Sequence, residues 1–149
     1  MLFIADTSGI IAAYDTAAPE HGKARKLLAA GTAIISPLVL DEVDHLLTAR
    51  FGGSKKERHI ADMVIDDLTA ADDQDRYLVP EIRSEDIRRA RTVIQAHAAL
   101  RLNLADAVNV VLADRYVTSQ VLTLDRRDFR AITPLSHGLD AFRVLLDDA

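Results

Sequence analysis

The sequence predicts a three-layer α/β/α domain built on a mostly parallel sheet of four to five strands. Short apolar runs typical of buried strands alternate along the chain with helical patterns. The chain has 149 residues, the usual size of one domain, and 49% of them are hydrophobic, which is enough for a core. No apolar run approaches the roughly 18 residues that a membrane span requires. We therefore expect residues 1–149 to form a single domain.

In the first half of the chain, glycine and proline mark the ends of the predicted elements. Pro19 suits the first position of a helix, and Gly31 suits the position after the last. Ser36 and Pro37 are an N-cap followed by a first helical residue. The elements are a strand at 2–5, a helix at 9–14, a helix at 19–30, a strand at 32–35, and a helix from 38 to about 51 that stops at Gly52 and Gly53.

In the second half, polar residues mark helix starts. Ser54 begins a capping box that opens a helix. Ser84 is the expected cap of the next helix, whose first turn carries Glu85 and Asp86, where the helix dipole favours anions. Residues 104–115 are apolar on nearly all sides, so we expect a deeply buried helix. The remaining predicted strands are 77–79, 120–124 and 142–146.

Charge is distributed unevenly. The net charge is −5, but residues 61–75 carry six aspartates and no basic residue, so the rest of the chain carries +1. The basic residues are 14 arginines and 4 lysines. Arginine suits bidentate phosphate contacts, although a GC-rich genome also produces such a composition. The overall acidity therefore does not exclude a nucleic-acid partner.

Cysteine is absent, which excludes disulfides, thiolate metal sites and cysteine nucleophiles. The first residues lack the charged and apolar regions of a secretory signal. We expect a cytoplasmic protein with no membrane association.

Acidic residues follow two predicted strands and lie on two predicted helices. Ligands of an open parallel sheet bind at the carboxyl ends of its strands. Carboxylates gathered there repel one another, and a divalent cation offsets that repulsion. Oxygen ligands without cysteine or paired histidines favour Mg²⁺ or Mn²⁺ over Zn²⁺, and such sites suit phosphoryl or phosphodiester chemistry. The candidates are Asp6, Asp106 and Asp125, with Asp41, Glu42 or Asp44 on the helix over 38–51.

The three acids of that helix differ in their position around it. At about 100° per residue, Asp41 lies opposite the apolar stripe and is expected to be exposed. Glu42 and Asp44 lie on either side of the stripe, so geometry leaves both as candidates. The stripe consists of Val39, Leu40, Val43, Leu46 and Leu47.

Each strand-end or helix-start acid also has a purely structural interpretation. Asp6 suits the cap of the following helix, and Asp125 suits an Asx turn. Asp106 and Asn103 have the spacing of a capping-box variant. Both interpretations stay open for these residues.

Polar residues beside the acids are candidates for orienting them. Asn109 follows Asp106 by about one helical turn, so it lies on the same face and suits a supporting role toward Asp106 or a metal's water. The hydroxyls of Thr7, Ser8 and Thr123 suit the same role, although such residues more often cap helices or lie in strands.

Four motifs in this order resemble those of the PIN-domain ribonucleases, and more closely the VapC-type toxins of bacterial toxin–antitoxin pairs. The resemblance covers essentially the whole chain. The motifs are Asp6-Thr7-Ser8, Glu42 within 40–44, Leu104-Ala105-Asp106-Ala107 followed by Asn109, and the segment 122–129 with Asp125.

The resemblance implies a PIN-like fold and an Mg²⁺-dependent endoribonuclease, with Mn²⁺ as a substitute, that hydrolyses structured RNA such as tRNA or rRNA by a metal-activated water. It selects Glu42 over Asp44. Its four acids are Asp6, Glu42, Asp106 and Asp125, with Asp6 and Asp106 as the main metal ligands. Asp128 joins or replaces Asp125 in some relatives. The implied partners are a VapB-type antitoxin and a second copy of the chain.

RNA requires positive charge near this acidic cleft. Arg126 and Arg127 directly follow Asp125, which makes them the candidate RNA contacts. Two other functions compete with the nuclease. One is a catalytically silent PIN-like module that binds RNA or protein, although all four acids are present. The other is a small metal-dependent phosphatase, which would favour Asp-x-Asp after the first strand, where this chain has Ser8.

Overall fold

The computed structural model describes residues 1–49, 55–70 and 75–148, without the side chains of Glu57 and Asp148. Within these residues, five strands form one sheet in the order β3-β2-β1-β4-β5, and every neighbouring pair is parallel. The strands are β1 (Leu2–Ala5), β2 (Thr32–Ile34), β3 (Tyr77–Leu78), β4 (Gln120–Leu122) and β5 (Arg143–Val144).

Helices connect successive strands and cover both faces of the sheet. A short 3₁₀ segment, Ala98–Leu100, precedes the helix that begins at Leu104. No helix in the described ranges is long and apolar enough to cross a membrane. The helices are α1 (Thr7–Tyr14), α2 (His21–Ala30), α3 (Pro37–Ala49), α4 (Lys55–Leu68), α5 (Ser84–Ala96), α6 (Leu104–Arg115), α7 (Arg126–Ala131) and α8 (Leu145–Asp148).

Two apolar clusters lie on opposite faces of the sheet. Side chains of a strand alternate between faces, and accordingly Phe3 and Ala5 belong to one cluster while Ile4 belongs to the other. The first cluster contains buried residues of α1 to α4, and the second contains those of α5 and α6. The predicted three-layer fold and parallel sheet are confirmed, as is the burial of the helix over 104–115.

Three strands end earlier than predicted. β2 ends at Ile34, β3 at Leu78 and β4 at Leu122. Among the other boundaries, α1 begins at Thr7 and α3 at Pro37, the residue expected in the first helical position, whereas α2 begins at His21 rather than Pro19. The predicted helix stop at Gly52 and capping box from Ser54 lie outside the described residues.

Three other expectations were wrong. Ser84 is the first residue of α5 rather than its cap, and the Asp86 carboxylate accepts the backbone N–H of Arg83 at 2.9 Å. Leu46 is 46% exposed and lies outside the apolar stripe of α3, in which Val39, Val43 and Leu47 are buried and Leu40 packs against the core.

The predicted strand over 142–146 is also wrong in its second half. After β5 the chain turns into α8, where Leu145 and Leu146 are buried against the α1–α4 side of the sheet. The Leu146 carbonyl accepts a hydrogen bond from Lys23 Nζ at 2.5 Å. A short apolar run does not distinguish strand from helix, and packing decides it here.

Gly9 allows α1 to approach β4 closely. A Cβ at this position would lie 2.8 Å from both the carbonyl carbon and the side-chain Cγ of Leu122. The approach brings the segment over residues 6–8 against the residues that follow β4. The backbone at the start of this segment also contacts the end of β4 directly, since the Asp6 N–H donates to the Leu122 carbonyl at 3.0 Å.

We expect Gly9→Ala to lower the free energy of unfolding by about 1–3 kcal/mol, the usual cost of overpacking. Gly22→Ala is the matched control, because Gly22 lies inside α2 with open space around it. That variant should gain roughly 0.5–1 kcal/mol from helix propensity. Urea denaturation of both variants measures the difference, and equal stabilities would contradict the close approach of α1 to β4.

Candidate active site

Asp6 follows β1 directly and is only 6% exposed. Its two carboxylate oxygens have separate donors. Asn109 Nδ2 donates to Oδ1 at 3.1 Å, and Thr123 Oγ1 donates to Oδ2 at 2.9 Å. Burial raises the pKa of Asp6 to about 6, and the charges of Asp106 and Glu42 add to the effect. Asp6 occupies the N-cap position of α1, as its capping interpretation expects, but its carboxylate makes no side-chain cap bond.

A chain of hydroxyl groups fixes Asp6 relative to the segment after β4. An ionised carboxylate only accepts hydrogen bonds, so the Thr123 proton points to Asp6. Ser8 Oγ, 3.2 Å from Thr123 Oγ1, then donates to it and accepts the N–H of Leu124 at 2.9 Å. The N–H of Asp125 also donates to Thr123 Oγ1 at 2.9 Å. Thr123 therefore positions both Asp6 and Asp125.

Glu42 and Asp44, which the helical wheel left equivalent, have different partners. Thr7 Oγ1 donates to Glu42 Oε1 at 3.1 Å, which holds Glu42 beside the end of β1. Asp44 binds Arg58 of α4 instead, with one contact at 3.0 Å, and the hydrogen bond from Arg58 lowers the pKa of Asp44. Asp41 is exposed, as predicted. Glu42 is thus the acid of α3 that joins the site.

Asp106 was expected either to cap α6 or to join the acidic site, and its carboxylate does both. Its Oδ2 accepts the N–H of Asn103 at 3.1 Å, while Asn103 Oδ1 accepts the N–H of Asp106 at 2.8 Å, forming a capping box. Burial raises the pKa of Asp106 to about 6, and the charges of Asp125, Glu42 and Asp128 raise it further. The same carboxylate therefore caps α6 and interacts with the other acids.

Asp125 caps a helix that the sequence analysis missed. Its Oδ1 accepts the N–H of Asp128 at 3.3 Å at the start of α7. Burial raises the pKa of Asp128, and the charge of Asp125 raises it further. Both acids act on the pKa of Asp106, so the structure brings Asp128 to the same site without selecting it over Asp125.

Asn109 has a different partner from the one expected. The sequence analysis placed it beside Asp106, but its amide donates to Asp6. Asn109 is fully buried, and among the described residues its Oδ1 has no hydrogen-bond partner. Since a buried carbonyl without a donor is costly, Asn109 belongs to the site rather than to the ordinary packing of α6.

The two candidate RNA contacts differ. Arg126 Nε lies 2.8 Å from Asp147 of α8, and the same carboxylate lies 3.1 Å from Arg130 Nη2. Arg127 is exposed, and its charge partly offsets the rise that burial causes in the pKa of Asp128. The contribution of Asp147 was missed, since nothing in the motif after β4 indicates a partner on the last helix.

The donor set fits a hard divalent cation in its chemistry. All candidate ligands are carboxylates. Asp6 is buried and Asp106 is partly buried, and the charges of neighbouring acids affect the pKa of each. As the side chains lie, no three acidic or imidazole groups of the described residues converge on one ion position. Each acid instead faces a protein donor, namely Asn109 and Thr123 for Asp6, Thr7 for Glu42, Asn103 for Asp106, and the backbone for Asp125.

Comparison with known proteins agrees with this architecture. The profile of the PIN domain family matches residues 3–133. The chain belongs to the PIN domain family. This PIN domain is 34% identical over 137 residues to Ribonuclease VapC26 of Mycobacterium tuberculosis, covering 91% of this chain and 95% of the relative. The resemblance to VapC-type proteins is confirmed.

Two solved structures share the fold of this PIN domain. VapC20 of Mycobacterium tuberculosis, described as a toxin that cleaves the sarcin–ricin loop, matches with a TM-score of 0.71 and 19% identity over 85% of this chain and 92% of that chain. VapBC2 of Rickettsia felis, solved with a promoter DNA fragment, matches with a TM-score of 0.64 and 16% identity over 91% and 96%.

The burial of Asp6 predicts a stability effect of known sign. Its pKa is raised from 3.8 to about 6. The free energy of unfolding therefore falls as the pH rises from about 4 to about 6, and above this range the fold bears the full cost of burying the ionised carboxylate. Asp6→Asn removes this cost. We expect the free energy of unfolding to rise by about 1–3 kcal/mol near pH 7.5 in chelator, with the gain vanishing near pH 4.

Asp86→Asn is the control with the opposite sign. The hydrogen bonds from Arg83 and Arg115 lower the pKa of Asp86, so its ionised form stabilises the fold above the unfolded pKa. This variant should lose stability near neutral pH and approach the wild type in acid. Denaturant melts at the two pH values separate the variants. A destabilised Asp6→Asn at neutral pH would overturn the electrostatic description of the site.

Proposed function

We propose that this PIN domain, spanning 1–149, is a metal-dependent endoribonuclease and the toxic component of a VapC-type toxin–antitoxin pair. The observation that carries the proposal is that acids from four separate elements lie close enough to act on one another's charge, with the pKa values of Asp6 and Asp106 both raised, chiefly by burial. Its similarity to a ribonuclease of the VapC group supports RNA as the substrate. Structured RNA, tRNA or rRNA, is the proposed class.

In this proposal Asp6 and Asp106 hold a divalent ion, Mg²⁺ with Mn²⁺ as a substitute, and Glu42 and Asp125 complete the ligand set directly or through water. When bound there, the ion supplies Lewis acidity, lowers the pKa of a water and offsets charge on the phosphate. Hydrogen bonds from protein donors would hold these carboxylates in place for the ion. Asn109 and Thr123 hold the two oxygens of Asp6 in fixed directions, and Thr7 does so for Glu42.

Phosphates outside the cleft require cationic partners. Arg126 and Arg127 are both exposed, and Arg126 is paired with Asp147, which competes with phosphate for its guanidinium. Such contacts set the affinity for RNA rather than the position of cleavage.

The proposed protein partner is a VapB-type antitoxin. A groove of about 960 Å³ between α1, α2, α3 and α4 offers a surface for it. Its walls include the apolar side chains of Leu47, Ile60 and Met63, and its edge carries Asp66 and Asp67. A partner segment with apolar and basic side chains fits this surface. A homodimer and a cytoplasmic location stay predictions.

Conservative variants test the metal site. We expect Asp6→Asn and Asp106→Asn to abolish growth arrest on expression and RNA cleavage, with 5′-end mapping of cellular RNA as the assay. Asn109→Ala and Thr123→Val should each lower cleavage about 10–100-fold, the usual cost of losing a group that orients a metal ligand. Asp44→Asn is the matched control on α3 and should cleave like the wild type, because Asp44 binds Arg58 outside the site.

Chelation is the second arm of this test. EDTA should stop cleavage, and added Mg²⁺ or Mn²⁺ should restore it. Full cleavage in EDTA would remove the metal from the mechanism. A wild-type protein that leaves RNA intact with either metal while hydrolysing a phosphomonoester would be a phosphatase. One that binds RNA without cleaving it would be the silent module.

The contact of Asp147 with Arg126 and Arg130 predicts opposite effects on RNA affinity for two single substitutions. Asp147→Asn removes the competing carboxylate, so we expect tighter binding and a steeper salt dependence. Arg127→Ala should weaken binding and reduce the salt slope by about 0.7, the value for one single-strand phosphate contact. Fluorescence anisotropy at several salt concentrations measures both. If Asp147→Asn binds RNA with unchanged affinity, then RNA does not contact Arg126 or Arg130.

A further inference from the structure

A second cavity adjoins the acidic site. It has a volume of about 420 Å³ and lies between the first turn of α3 and the start of α6. Glu42, which Thr7 holds beside Asp6, also lines this cavity. A group bound in the cavity is therefore next to whatever binds between the carboxylates of the acidic site.

The walls of the cavity are apolar and its polar groups carry no positive charge. Pro37, Leu38 and Leu104 provide apolar surface, and Leu104 is 37% exposed although it begins the otherwise buried helix α6. Among the described residues that line the cavity there is no lysine, arginine or histidine. With the carboxylates of Asp41 and Glu42 in its wall, the cavity disfavours a phosphate and favours a neutral, flat group that donates hydrogen bonds.

Two polar groups define a pattern of donors and acceptors. The carboxylate of Asp41 is exposed and offers two acceptor oxygens. Asn103 uses its Oδ1 to accept the N–H of Asp106. Because the amide is planar, its Nδ2 lies on the opposite side of the group and offers donors away from the start of α6. The cavity is thus lined by an acceptor pair on α3 and by the amide donor of the residue that precedes α6.

We propose that this cavity binds the base of a nucleotide next to the cleaved phosphodiester and selects guanine. This inference rests on the proposed ribonuclease function. Guanine presents N1–H and N2–H side by side, which match the two oxygens of Asp41, and a neighbouring O6, which matches the Asn103 amide. Adenine, cytosine and uracil each present a ring acceptor or a carbonyl where guanine has one of these donors. Leu38 and Leu104 provide the apolar surface against which the base lies.

The test uses short hairpin RNAs that differ only at the nucleotide on either side of a mapped cleavage site. Guanine, inosine, adenine and uracil are compared there in single-turnover cleavage. We expect the wild type to favour guanine over adenine by about 10–100-fold, the range for a good bidentate base contact. Inosine, which lacks the N2 amino group, should fall between them.

Two substitutions should change this ratio. Asp41→Asn replaces one acceptor by a donor, and the guanine-to-adenine ratio should drop below about 3-fold. Asn103→Asp keeps the oxygen that caps α6 but replaces the amide donor, so it should also reduce the preference for guanine. Asp44→Asn, which changes a carboxylate of the same helix outside the cavity, should keep the wild-type ratio. An Asp41→Asn ratio equal to that of the wild type would overturn the inference.

A binding arm separates failure of this inference from failure of the proposed function. Fluorescence anisotropy of the same RNAs with the wild-type protein in chelator measures base preference without cleavage. If no RNA is cleaved but guanine still binds more tightly, the nuclease proposal fails and the base site stands. Equal affinity for all four bases would overturn the base site. If an arginine-containing peptide binds and Asp41→Asn abolishes that binding while the base preference is unchanged, the cavity belongs to a protein partner and the inference is wrong.

Discussion

The buried carboxylate of Asp6 is the interaction on which the site depends. A charged group at the end of a central strand is costly to bury unless its oxygens are hydrogen-bonded. Asn109 and Thr123 provide these bonds from two different elements. Through Thr123 the same network continues to Ser8 and to the backbone of Asp125. One carboxylate thus sets the relative positions of β1, α6 and the segment after β4.

The remaining acids are held in the same manner, each by a donor from a neighbouring segment. Glu42 is bonded to Thr7, and Asp106 to the backbone of Asn103. These bonds fix the acids near one another, while burial raises the pKa values of Asp6 and Asp106 and the charges of the neighbouring acids add to the effect. A fold that holds repelling charges together in this way is suited to a ligand of high positive charge density.

The acidic residues of the chain lie in separate regions of the structure. The acids of the site lie at the carboxyl ends of the strands, whereas Asp66 and Asp67 of the aspartate-rich stretch line a separate apolar groove. Near the site, Asp147 engages Arg126 and Arg130. The net charge of −5 therefore describes no single surface, and substitutions on α7 and α8 can shift the local balance of charge near the site.

The sequence by itself determined the layer architecture and which acids are candidates for the site. Strand and helix periods are local properties, and Asp6, Asp106 and Asp125 stand directly at element ends that local patterns reveal. The family resemblance selected Glu42, which periodicity alone left equal to Asp44. Only the tertiary structure decided the partners. Asn109 binds Asp6 rather than its helical neighbour Asp106. Asp44 binds Arg58 outside the site. Residues 145–148 form a helix because Leu145 and Leu146 pack into the core. These outcomes depend on residues distant in sequence, whose approach no local pattern encodes.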